Sequence, residues 1–385
     1  MGSSRRVARL LFAVAWGSNH FVPLLLVYRA RLRLSSIELA ILFGVYACGL
    51  VPGLVLGGPL SDRHGRRAVV LPAALGALAG TCTLAWGFAG FGVLLAGRFI
   101  VGLGAGATFS AGTAWVQDLA AGGAEGTGAR RAAVALSSGF GGGPLVTGLL
   151  AQWLPWPMVL PYVVQAVVLA GTLLELALTR REEGRPSISP TAGAVDGWLP
   201  RGFARIAVAA PWVFTFPSVS HAVLPALVRE RVGSLSVVFA GVVTATTLTA
   251  GVAVQPVLRR WSSLHAGLFG LASGAGCLLC GAAAAAAVRP AGVLLAAMML
   301  GAGYGGCLIS GLRFIEDKAA PATRGRVTGV YYALTYIGFA APLLLAALAR
   351  TAGDVRSLLA AFSLALLSLL WSIRDRQSSG PLPAS

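Results

Sequence analysis

Charge is what this sequence has least of. Asp, Glu, Lys and Arg together make up 11% of its 385 residues, where a soluble domain carries about 25%. Acids are scarcest, 13 against 30 basic residues, and every basic residue except Lys318 is arginine. Disordered chains are rich in charge and poor in apolar residues, so this composition excludes disorder. There are five cysteines and four histidines, and no nucleophile–base pair or ligand cluster is visible along the chain. An enzyme, a cofactor and a bound metal are therefore not expected. Cys277 and Cys280 form a CxxC, but inside the unbroken apolar stretch LASGAGCLLCGAAAAAAV with no second ligand pair. All five cysteines read as small buried hydrophobes.

What fills the chain instead is apolar. Hydrophobic residues reach 56%, glycine adds 51 residues, and the mean hydropathy is +0.79. No soluble fold hides that much apolar surface, so the chain reads as an integral membrane protein with the bilayer as its first partner. A net charge of +17 could suggest nucleic acid. A nucleic-acid reader gathers its cations on one face, however, whereas here they sit in small groups between long uncharged stretches, so no nucleic-acid partner is expected.

Eleven runs of 17 or more residues lack any Asp, Glu, Lys or Arg. The run 132–174 would be about 65 Å long as one helix, twice the apolar thickness of a bilayer. It must turn back, and Trp153-Leu154-Pro155-Trp156-Pro157 supplies breakers and interfacial tryptophans. The fold class is therefore all-α integral membrane with twelve spans, the first of them retained at the N-terminus. With a cytoplasmic N-terminus, inner segments hold 21 Arg and Lys and outer segments 8, with Arg98 inside a span. The positive-inside rule then places both termini in the cytoplasm and the protein in the cell's inner (plasma) membrane.

The one long hydrophilic segment, 179–205, divides an N-terminal six-helix bundle (1–178) from a C-terminal one (206–373), with a tail at 374–385. The halves resemble each other. Gly58-x3-Asp62-x3-Arg66-Arg67 aligns with Gly251-x3-Gln255-x3-Arg259-Arg260 at an offset of 193 residues. Gly102, Gly104, Gly106 and Asp118 align with Gly301, Gly303, Gly305 and Asp317 at 199, and Pro144 with Pro342 at 198. A duplicated six-helix unit is typical of secondary transporters, whose substrate site lies between repeats near the bilayer midplane.

Between the second and third spans stands Gly58-Pro-Leu-Ser-Asp62-Arg63-His64-Gly65-Arg66-Arg67. Glycine permits a tight turn there, and Asp62 can cap a helix or pair with an arginine. The pattern GxxxDRxGRR resembles the signature motif of the major facilitator superfamily, in the loop where that family carries it. The resemblance runs along residues 7–373 and implies two pseudo-symmetric six-helix bundles. It also implies a conformational latch on the cytoplasmic side, made by Asp62, Arg66 or Arg67, and Asp118 at the end of the fourth span. In the second copy Gln255 replaces the acid, which weakens any matching latch.

Arg98 lies inside a span, where an arginine costs roughly 2.5–3.5 kcal/mol or more and so should face the interior in a functional role. Leu94, Arg98 and Gly102 resemble the family's span-4 motif LxxxRxxxG, which implies proton coupling. Counting along the helices places Arg98 about 10 Å below the outer end of its span and His20 at a similar level, so Asn19, His20 and Arg98 could share a cavity. Gly139-x3-Gly143-Pro144-x2-Thr147-Gly148 resembles the span-5 motif of drug:proton antiporters, with Thr147 in place of one glycine. Small residues at that spacing also let helices approach closely.

The sequence departs from those antiporters in having no mid-span acid: Glu38 and Glu175 lie at span ends. The titratable candidates are His20 and His221, since histidine changes charge near neutral pH, and Pro23 and Pro225 follow each of them where a helix break could shape a site. Tyr46, Gln165 and Tyr304 are further polar or aromatic candidates for the pocket wall. The expected function is proton-coupled efflux of small apolar or amphipathic organic molecules by a monomeric drug-resistance permease. Alternatives are a metabolite uptake symporter or facilitator, and a non-transporting membrane sensor or scaffold.

Overall fold

The computed structural model describes residues 2–120, 127–179, 199–287, 289–320 and 323–378. Arg180, Arg181 and Arg185, most of the central segment 179–205 and the end of the tail 374–385 lie outside the described residues. Every regular element described is helical. In chain order the α-helices are α1 (Gly2–Asn19), α2 (Phe21–Arg31), α3 (Ser36–His64), α4 (Arg66–Ala85), α5 (Phe91–Ala120), α6 (Thr127–Trp153), α7 (Leu160–Leu178) and α8 (Phe203–Ala209). The series continues with α9 (Trp212–Ala222), α10 (Leu224–Leu227), α11 (Arg229–Val232), α12 (Ser236–Leu258), α13 (Ser263–Ala287) and α14 (Pro290–Lys318), then α15 (Arg324–Tyr336), α16 (Ala341–Ala352) and α17 (Asp354–Ser378). Contiguous helices combine into twelve segments long and apolar enough to cross a membrane, the first being Gly2–Arg31 and the last Asp354–Asp375. The protein is a multi-pass membrane protein.

Two compact units are present, Met1–Ser189 with Gly233–Ala245, and Pro190–Val232 with Thr246–Ser385. Within the first, α3 lies along α5 through glycines. A Cβ at Gly102 would press into the carbonyl of Tyr46, one at Gly106 into that of Leu50, and one at Gly104 into Ala73 and Ala77 of α4. The second unit repeats the arrangement. Gly301 faces the carbonyl of Thr247, Gly305 that of Gly251, and Gly303 packs on Gly270 and Phe216. The three alternating glycines of each half thus bring one helix into backbone contact with two neighbours, the close approach that drives helix association in lipid. Gly102→Val or Gly106→Val is expected to cut the yield of monodisperse protein at least tenfold, because overpacking at backbone contact costs roughly 1–3 kcal/mol or more. Gly142→Ala, where an added Cβ meets nothing within 4 Å, is expected to leave it unchanged. Fluorescence-detected size-exclusion chromatography of the three variants checks both outcomes.

The first span breaks at His20, between α1 and α2. Pro23 has no N–H to donate to the carbonyl of Asn19, four residues back, so the ladder is interrupted there. A matching break falls at Val223, before Pro225. The short connection between α4 and α5 turns at Gly90, whose φ of +134° suits only glycine. One expectation is corrected. Of the five cysteines only Cys277 and Cys307 are buried, and Cys48, Cys82 and Cys280 are exposed. An uncharged stretch does not reveal which helix face packs, and these three lie on outward faces, where an apolar side chain meets lipid at no cost. All five are free thiols.

Candidate functional site

In the first unit the helix break becomes a site. Arg98, 1% exposed on α5, donates Nη1 to the carbonyl of Ser18 at 3.1 Å and Nε to that of Leu42 at 3.2 Å. Its guanidinium stacks on the rings of Phe21 and Tyr46, at 4.4 and 4.5 Å from their centroids. Ser18 is in the last turn of α1, whose carbonyls lack intrahelical partners and carry the negative end of the helix dipole. Among the described residues no carboxylate pairs with Arg98. Peptide carbonyls and ring faces take the place of a counter-ion, each cation–π contact in such a dry setting contributing about 2 kcal/mol.

His20 is fully buried at the break, and its ring stands edge-on to Tyr162 with centroids 4.6 Å apart. The hydroxyls of Tyr28 and Tyr162 share a hydrogen bond of 2.5 Å. Among the described residues neither ring nitrogen of His20 has a hydrogen-bond partner, and the same holds for Trp16 Nε1, Thr147 Oγ1 and Gln165 Oε1. The Gln165 amide donates to the carbonyl of Ala13 at 2.9 Å and packs on Gly17. Unmet buried polar groups cost about 1–3 kcal/mol each. Asn19 is half-buried beside the break and makes no hydrogen bond with its side chain among the described residues.

The structure therefore brings His20, Arg98, Tyr46 and Gln165 into one buried region and adds Phe21, Tyr28 and Tyr162. Sequence reasoning missed those three. Tyr28 and Tyr162 are 134 residues apart, and their only local signal is a hydroxyl inside an apolar span.

Gly139 and Gly143 set α6 against α1, on the backbone of Phe12 and the side chain of Trp16. Pro144 and Gly148 face Gly241, Val237 and Val238 of α12, within the same unit. Gly139, Gly143, Pro144 and Gly148 thus act as contact surfaces.

At the other end of the unit, Gly65 (φ +91°) separates α3 from α4 and turns Arg66 inward. Arg66 Nε meets Asp118 at 2.9 Å, and its Nη1 meets Asp62 at 2.5 Å and the Ser61 hydroxyl at 2.6 Å. Arg66 and Asp118 are largely buried, their side chains 8% and 13% exposed, whereas Asp62 is 42% exposed. Of the two candidate arginines it is Arg66 that joins the acids. Arg67 donates to the carbonyl of Ala177, and Arg63 is exposed. Glu175 pairs with Arg6 and Arg9.

In the second unit His221 is 6% exposed, with Nε2 unpartnered among the described residues. Tyr304 belongs to a half-buried aromatic group on α9, α14, α15 and the 3₁₀ turn Ile337–Ala340 that follows α15. Phe214 lies 5.0 Å from both Tyr336 and Phe339 and 6.4 Å from Tyr304, ring to ring. Phe214, Tyr336 and Phe339 were not legible as a group, because Phe214 and Tyr304 come from helices far in sequence from the segment that carries Tyr336 and Phe339.

Residues 8–342 match the family model described as Major Facilitator Superfamily. The chain belongs to the major facilitator superfamily. Solved structures agree with this facilitator's fold along nearly its whole length. A POT family transporter in complex with a thioalcohol-conjugated peptide has a TM-score of 0.82 at 12% identity, over 98% of this chain and 96% of that one. A D-xylose–proton symporter gives 0.71 at 16% identity, over 96% and 95%. Among curated proteins, the Multidrug resistance protein MdtL of Escherichia coli O45:K1 (strain S88 / ExPEC) is 41% identical over 91 residues. That match spans 23% of this chain and 22% of the relative, about a fifth of its length. The protein is a membrane transporter of this superfamily and not an enzyme.

Proposed function

We propose that this facilitator exports small apolar or amphipathic organic molecules in exchange for protons, as a monomer in the cell's inner membrane with both termini cytoplasmic. The observation that carries the reading is the carboxylate-free buried site around His20 and Arg98. A proton arriving at His20 would find an unpartnered ring beside a guanidinium already satisfied by carbonyls, and its charge would repel Arg98. Substrate and proton would then favour different states of a two-state transporter. Efflux is supported by the local similarity to MdtL and by the antiporter-like run from Gly139 to Gly148. Arg66, Asp62 and Asp118 serve as the latch of one of those states, and His221 is a second protonation candidate.

The rings of Phe214, Tyr304, Tyr336 and Phe339 suit a flat apolar substrate. Phe214→Ala is expected to raise KM about tenfold with little change in kcat, since aromatic packing contributes about 0.5–1.5 kcal/mol beyond area burial. Concentration-dependent flux in proteoliposomes checks it. An unchanged KM removes these rings from the substrate site.

The decisive experiment uses inverted membrane vesicles acidified by respiration, with a pH-sensitive dye and a panel of lipophilic drugs and anionic metabolites. Dequenching by a compound with the natural protein, absent in Arg98→Ala, supports proton-coupled export. No dequenching by any compound, together with accumulation of a labelled metabolite by whole cells, leaves an uptake symporter or facilitator instead.

A further inference from the structure

The second copy of the latch carries Gln255 in place of an acid, and among the described residues its arginines meet no carboxylate. Gln255 stands where Asp62 stands in the first copy, and its amide donates to the carbonyl of Gly251 on its own helix. Arg259 and Arg260 are exposed and, among the described residues, pair with no carboxylate. Among the described residues Asp317, the counterpart of Asp118, and its neighbour Glu316 form no ion pair with them either. A third cation joins them, because Arg313 of α14 donates Nη1 to the carbonyls of Arg259 and Trp261. Arg259 and Arg260 thus stand exposed in the turn that joins α12 to α13, and the guanidinium of Arg313 is taken up by the carbonyls of that turn.

The same turn opens onto an apolar groove of ≈ 700 Å³ in the second unit. Trp261, Ser262 and His265 form its head, Leu268, Phe269 and Ala272 of α13 one wall, and Leu369 and Ile373 of α17 another. His265 is held by the Ser262 hydroxyl at 2.7 Å. A tryptophan at the head of an apolar groove marks the bilayer interface. Moving from Trp261 in the turn along α13 to Ala272 therefore leads from the headgroup level into the acyl region.

We propose that this groove is a binding site for one anionic phospholipid, with an acyl chain along Leu268, Ala272, Leu369 and Ile373 and its phosphate at Arg259 and Arg260. The charge pattern selects this occupant. Exposed arginines that meet no carboxylate among the described residues, beside an apolar groove, match a molecule that is anionic at one end and hydrocarbon at the other. A zwitterionic lipid brings its own ammonium and gains less. A carboxylate at 255 would stand one turn from Arg259 and pair with it, as Asp62 pairs with Arg66, so Gln255 leaves Arg259 available to a lipid phosphate. The inference does not depend on the direction of transport or on proton coupling.

Native mass spectrometry of the purified full-length protein, titrated with phosphatidylglycerol or phosphatidylethanolamine, tests it. Each arginine near an anionic lipid contributes about fivefold in affinity, so two give a preference of about 25-fold for phosphatidylglycerol. Arg259→Ala/Arg260→Ala is expected to abolish the preference while leaving the thermal melt in detergent unchanged, because both side chains are exposed. Gln255→Glu is expected to weaken phosphatidylglycerol binding about fivefold by restoring an internal partner. Equal affinity for the two lipids, or a preference that survives in the double variant, overturns the proposal.

Discussion

Arg98→Ala is expected to reduce transport at least 100-fold while the protein still purifies as a monodisperse species. The guanidinium donates to two carbonyls from different helices, Ser18 of α1 and Leu42 of α3. Hydrogen bonds from a charged donor contribute about 1.5–3 kcal/mol each, so losing both removes roughly 3–6 kcal/mol from whichever state makes them, or 10²–10⁴ in rate if that state lies on the transport path. Alanine also empties the space between the rings of Phe21 and Tyr46. Lysine keeps the charge but is a single point donor that cannot reproduce the planar fork between two carbonyls and two rings. Arg98→Lys is therefore expected to retain at most a tenth of the flux. The check is uptake into proteoliposomes under an imposed pH gradient, with chromatographic homogeneity measured in parallel. Wild-type flux in Arg98→Ala would remove this residue from the transport machinery.

Asp118→Asn is expected to lower flux more than Asp62→Asn, although Asp62 belongs to the more conspicuous sequence motif. Burial decides the order. Arg66 and Asp118 are only 8% and 13% exposed, while Asp62 is 42% exposed. Removing one member of a buried pair costs about 3–5 kcal/mol because the other charge stays buried and unpaired. A largely exposed pair is worth about 1 kcal/mol or less. Discounting for the partial exposure of Asp118, a cost near 2 kcal/mol corresponds to a loss of about 30-fold, against about fivefold for Asp62→Asn. Reversing the pair, Arg66→Asp with Asp118→Arg, is expected to recover part of the flux lost in either single variant. Initial transport rates of the four proteins in one lipid composition decide it. Equal losses for the two acids would mean that the pair acts through the exposed loop and not through the buried bridge.

The twelve spans could be read directly because each is a local property: about 20 residues that must keep charge out of hydrocarbon and close their backbone hydrogen bonds internally. The duplication was legible for a similar reason. Glycines at 102, 104 and 106 and again at 301, 303 and 305 keep their spacing because each set must bring three helices into backbone contact, and the structure shows both sets doing so. Arg98 stood out through its cost in a membrane, and the break near His20 through Pro23.

Tertiary structure decided how these parts meet. Successive residues on a helix are turned by 100°, so GxxxDRxGRR names two adjacent arginines without saying which one faces the acids. The positive φ of Gly65 directs Arg66 to Asp118 and leaves Arg67 on the carbonyl of Ala177. The same limit hid the outward faces that carry Cys48, Cys82 and Cys280. The Tyr28–Tyr162 bond beside His20 and the ring group around Phe214 join residues far apart in the chain, and no local spacing encodes them. The sequence by itself determined a duplicated, twelve-span facilitator with a buried arginine, because bilayer energetics act on one helix at a time. Only the tertiary structure decided that this arginine is balanced by the carbonyl end of α1 and two aromatic rings, because that balance depends on how α1, α2, α3 and α5 pack together.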